Sequence, residues 1–155
     1  MMKAFHAGLL VAVMLSGQAA AASLAPVSSD VEILGRIKIA AGPFKGDCDA
    51  TMYAHIDAMG RAVIEGALTT LEGKSKVCSV AKALGNWPVA MLGGDRMELQ
   101  KLDFGGPGGM HCRGSLSGTL HNGKVTFAGA LKGPLGVKCN VSGVLTSTPT
   151  VEIVH

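Results

Sequence analysis

Aromatic and charged residues are both scarce in this chain. Aromatics fill 4% of its 155 positions and charges 16%, so its core rests on aliphatic side chains and no dense basic face awaits a nucleic acid. No Cys-x-x-Cys pair occurs, which argues against a zinc site and a redox-active dithiol. Past the first two dozen residues there is no long apolar run, hence no expected membrane-spanning helix. Internal repeats, heptads and low-complexity tracts are missing as well.

What the chain does have begins with an export signal. Lys3 supplies a positive start, Ala7–Leu15 an apolar stretch, and Ala20-Ala21-Ala22 small residues ahead of Ser23; residues 1–22 therefore read as a signal peptide. Gln18 stands where a lipoprotein signal would need cysteine. Removing 22 of 155 residues leaves 133, a normal length for one domain. Lys3 leaves with the signal, so 13 of the 14 basic residues remain against 11 acidic ones. The expected product is secreted, extracellular or periplasmic, with no transmembrane span after cleavage. Ser23–Asp30 reads as a flexible leader, and residues 31–155 as the folded domain.

Cys48, Cys78, Cys112 and Cys139 all follow the signal. An even thiol count in an oxidising compartment implies two disulfides. Four cysteines allow three connectivities, and the sequence does not choose among them. Sequential pairing would close two loops of about 30 residues, each stabilising by roughly 3–4 kcal/mol on the chain-entropy model.

Between the cysteines the pattern has period two. Arg36 and Lys38 alternate with Ile37 and Ile39, as a strand with one wet face does. Thr51–Ile56 and Ala62–Glu65 flank a turn at Ala58-Met59-Gly60, and Val89–Leu92 and Met97–Phe104 flank Gly93-Gly94-Asp95. His121-Asn122-Gly123-Lys124 is the clearest hairpin signal, because Asn-Gly suits the positive φ of both central positions of a type I′ turn. Val137–Leu145 and Val151–Val154 add further strands. The expectation is an all-β, single antiparallel β-sandwich or barrel-like domain. Glu72–Leu84 departs from the pattern, with Val77, Val80, Ala81 and Leu84 at helical spacing beside Lys74, Lys76 and Lys82. We read it as a crossover turn or strand pinned by Cys78; a short basic surface helix is the other reading.

Catalytic motifs fail when read residue by residue. Gly73-Lys74-Ser75 has Leu68 where a phosphate-binding loop needs its first glycine. Gly114-Ser115-Leu116-Ser117-Gly118 has leucine at the nucleophile position. His55, His111, His121 and His155 have no metal-ligand spacing; His111 is expected to face solvent and His121 to flank its turn. The expectation is no enzyme, no cofactor, no metal and no nucleic-acid partner.

The framework as a whole carries more. A strand leads to Cys48; a Gly-rich hairpin follows, then Cys78-Ser79 and Trp87-Pro88-Val89. Cys112-x-Gly114 precedes a strand–turn–strand, and the end reads Cys139-Asn140-Val141-Ser142-Gly143-Val144-Leu145 with Pro149 beyond. Over Ile33 to Val151 this resembles the secreted bacterial activators of alkane oxidation, the PraB-type family. The resemblance implies an extracellular, non-enzymatic accessory protein that promotes hydrocarbon use by binding or dispersing apolar substrate at an interface. It supplies no catalytic residues. Ligand-binding residues stay unknown at this level; Met59, Met91-Leu92, Met110 and Leu135 are the apolar candidates. A second reading is a structural or adhesive matrix protein of biofilms that self-associates through strand edges. A third is a secreted hydrolase with a triad assembled from distant residues.

Overall fold

Every hairpin marked in the sequence is formed in the computed structural model, which describes residues 21–155. Twelve strands occur among them: β1 (Ser23–Ala25), β2 (Ser29–Ala41), β3 (Phe44–Ile56), β4 (Ala62–Glu65), β5 (Thr70–Glu72), β6 (Lys82–Ala83), β7 (Asn86–Gly93), β8 (Arg96–Gly105), β9 (His111–His121), β10 (Lys124–Lys132), β11 (Lys138–Thr148) and β12 (Glu152–Val154). A one-turn helix, α1 (Lys76–Val80), sits between β5 and β6. The signal-peptide reading falls almost wholly outside the described residues.

Eight of the strands close a barrel. Neighbours run β2, β3, β4, β7, β8, β9, β10, β11, each antiparallel to the next, and β11 returns to pair with β2 from Cys139↔Ala41 to Thr148↔Glu32. Of the two architectures expected, the barrel is therefore the one formed. It is an up-and-down meander with one excursion, β5–α1–β6, between β4 and β7.

Alternation decides which side chains go inside. On β2, Val31, Ile33, Ile37 and Ile39 are buried while Arg36 and Lys38 sit on the outer wall. Ala50, Met52, Ala54 and Ile56 do the same on β3. Phe127 on β10 is opposite glycine on both sides, Gly118 of β9 and Gly143 of β11. A Cβ at Gly143 would come within 2.7 Å of the Phe127 ring, and one at Gly118 within 2.5 Å of the Thr126 carbonyl. Both glycines give the strands their close approach there. Trp87 is 0% exposed. Its indole N–H donates to the Leu84 carbonyl at 2.8 Å and its ring meets Phe104 at 5.0 Å.

The two barrel ends differ. At one, β1 and β12 pair into a two-stranded cap that buries Leu24 and Val151. Asn122 and Gly123 both have positive φ, 48° and 73°, as the type I′ reading requires. Their turn is tied to the cap: the Gly123 N–H donates to the Val151 carbonyl at 2.9 Å. Buried Ser147 donates to the Gly123 carbonyl and accepts from the Val151 N–H. The leader reading needs correction here. Ser23–Ala25 is a strand, Leu24 N–H donates to the Gly60 carbonyl, and β2 already begins at Ser29. Leu24 is the apolar plug that draws this segment onto the barrel, and the leader's polar composition hides it.

Candidate functional site

The uncapped end is built by the turns after β2, β8 and β10 and by the excursion that carries α1. Its turns pair glycine with proline, as Gly42-Pro43, Gly106-Pro107 and Gly133-Pro134, and each proline fixes its own φ. Val77 and Cys78 of α1 face inward and are buried. The excursion is fastened to β3 by Cys48–Cys78, whose Cα atoms lie 5.5 Å apart. Cys112–Cys139, with Cα atoms 5.9 Å apart, joins β9 to β11 beneath the end of β10. This is the sequential pairing, one of three left open by the sequence. Both disulfides stand at this end.

Between these elements lies an apolar pocket of about 140 Å³. Ile39, Val77, Phe104, Cys112 and Cys139 form its floor and walls; Phe44, Val80, Met110 and Val137 stand towards the mouth. None of its lining residues is charged. A second apolar space of about 40 Å³ lies under the cap, lined by Leu24, Ile33, Met97, Val125 and their neighbours. A cavity near 150 Å³ with such a lining stays dry and takes a benzene-sized guest. The uncapped pocket meets that size; the capped space does not.

The mouth is also where apolar side chains meet solvent. Leu135 is 104% exposed at φ 52°, and Phe44 and Val137 are 36% and 41% exposed. Of the apolar candidates named from sequence, Met110 and Leu135 are brought to this end. Met59, 71% exposed, and Met91-Leu92 lie at or towards the capped one. Phe44, Pro43 and Pro107 were missed, although a meander returns every second turn to the same end and so marks them.

A cluster of hydrogen-bonded polar side chains lies on the outer wall near this end. Asp103 on β8 contacts His111 Nδ1 through Oδ1 at 2.7 Å and accepts from Arg113 Nε through Oδ2 at 2.9 Å. His111 is thus tied to a carboxylate on the wall, not turned freely to solvent as expected. Burial pushes the Asp103 carboxyl up, but the hydrogen bonds from His111 and Arg113 outweigh it and hold the group below the usual carboxylate range. Among the described residues the serine hydroxyl bonds run to backbone groups, as from Ser75 to the Lys45 carbonyl and from Ser79 to the Lys76 carbonyl; none runs to a histidine ring. No group of three or more metal-ligating side chains is gathered among them, and none of their helices is long and apolar enough to cross a membrane.

A family model described as alkane oxidation protein activator PraA/PraB-like matches residues 1–155. The chain belongs to this family. No curated protein and no solved structure shows a significant match to it. In this PraA/PraB-like chain the residues that carried the resemblance stand together. Trp87-Pro88 opens β7 beneath the excursion, Cys112-x-Gly114 opens β9, and Cys139-Asn140-Val141 opens β11. All three fall at the end that carries the pocket.

Proposed function

We propose that the protein is an exported, non-catalytic accessory of alkane use that receives apolar chains at the uncapped barrel end. The observation that carries this reading is the pocket of about 140 Å³, which has no charged lining residue and opens beside exposed Phe44, Leu135 and Val137. A pocket of that size takes the end of a chain, not a whole long alkane, so the remainder must lie along the apolar mouth. Burial of each methylene there contributes about 0.8 kcal/mol, enough over several carbons to hold a chain loosely and release it. Export follows from residues 1–22 as a signal peptide, and the two disulfides fit an oxidising compartment.

Interfacial tension tests the reading. Purified protein, oxidised and then reduced, is spread at a hexadecane–buffer interface. A large drop in tension that requires the disulfides is the expected result, because they fasten the mouth. A drop no larger than that of an ordinary globular protein would remove the hydrocarbon role. The matrix reading has less to draw on: among the described residues, barrel closure leaves the short strands β1, β5, β6 and β12 to offer free edges.

A further inference from the structure

Lysines surround the apolar mouth. Lys45 follows Phe44, Lys76 precedes Val77, Lys82 follows Ala81, and Lys132 and Lys138 flank the turn that carries Leu135; all five are exposed. Among the described residues the ion pairs are made by arginine and histidine, none by a lysine. Acidic neighbours stand back along the wall, with Asp47 opposite Lys38 and Glu72 opposite Asp49. Asp103 is already engaged by His111 and Arg113.

Two features of this rim weaken the isolated fold. Lys132 and Lys138 are direct cross-strand partners, and Lys132 is opposite Arg113 on its other side. Lys132 and Lys138 therefore stand side by side where like charges repel, next to an Arg113 that is already paired with Asp103. Leu135 occupies a left-handed position that favours glycine or asparagine, and its side chain is fully exposed. Arg113 is answered by Asp103, but among the described residues no ion pair answers Lys132 or Lys138, and Leu135 stays uncovered. Both are satisfied by a partner with an anionic layer over an apolar one.

We propose that the uncapped end docks on an anionic lipid bilayer, with Leu135 and Phe44 entering the acyl boundary and the lysine ring meeting the headgroups. Charge complementarity selects this partner over a neutral oil surface, which leaves the ammonium groups unanswered. The docking surface stands on the rim alone and does not need the pocket to take a hydrocarbon.

Flotation with two vesicle preparations tests it, one of phosphatidylcholine and one of equal parts phosphatidylcholine and phosphatidylglycerol. Expected is binding to the anionic vesicles that falls steeply as salt rises from about 0.05 to about 0.5 M. The double variant K132Q/K138Q should bind them roughly thirtyfold more weakly, at about 1 kcal/mol for each basic residue near the surface. Leu135→Asp should lose most of the binding. Both variants should keep the far-ultraviolet circular dichroism of the parent, and K132Q/K138Q also its action at the hexadecane interface, which separates this proposal from the hydrocarbon reading. Equal binding to the two vesicle types, binding to neither, or folded variants that bind as the parent does would overturn it.

Discussion

At Asp103 a partly buried carboxylate is met by two partners on the next strand, the His111 ring and the Arg113 guanidinium. Its folded pKa lies below its ordinary value. The stability it contributes is therefore complete above the unfolded carboxylate range and is lost as pH falls through the folded value. Asp103→Asn should lower stability at neutral pH by on the order of 1 kcal/mol, since it removes a charge-assisted bond that is partly exposed. In urea titrations the parent should lose stability below about pH 4 more steeply than the variant. Parallel acid limbs would show that the cluster does not stabilise the fold. The pairing of Asp103 with His111 could not be read from eight residues of separation, because it depends on the β8–β9 register. The Asn122-Gly123 turn was legible for the opposite reason, being a wholly local demand on φ. Gly118 and Gly143 lie between: glycine marks a close approach, but only the pairing shows that Phe127 is what they admit.

Among elements, the meander explains what the sequence showed and what it hid. Strands β2 to β4 and β7 to β11 were visible through alternation and turn residues. The excursion Glu72–Leu84 was harder, because its apolar spacing fits a helix while its length does not; the chain makes one turn, Lys76–Val80, and strands to either side. The cap was half legible: Val151–Val154 was read as a strand and β12 is formed there, but its three-residue partner β1 lies in the segment read as a leader. The β10–β11 hairpin yields a prediction of its own. Lys138→Glu turns a repulsive cross-strand pair with Lys132 into an attractive one, and should stabilise by roughly 0.2–1 kcal/mol. Its denaturant midpoint should rise with an unchanged slope, while binding to anionic vesicles falls. A midpoint at or below that of the parent would mean that Lys132 and Lys138 do not feel one another.

For the molecule as a whole, closure is the decisive step, and local sequence could not supply it. The pairing of β11 with β2 joins residues about a hundred positions apart, and a sandwich would have satisfied the same alternation. Eight strands leave an interior that side chains nearly fill or that holds one small ligand. Here the two outcomes occur at opposite ends: the cap leaves about 40 Å³, the disulfide-fastened end about 140 Å³. The division of labour is physical. Backbone hydrogen bonds and Leu24 seal one end, while the disulfides let the other stay apolar and open without collapsing. The most direct measurement is a backbone amide NMR titration of the oxidised protein with octane. Shifts are expected at Ala41–Phe44, Val77–Ala81, Gly105–Met110 and Leu135–Val137, and should vanish in a folded Ala81→Phe variant that fills the pocket. Saturable shifts at the capped end, or none at all, would contradict the account.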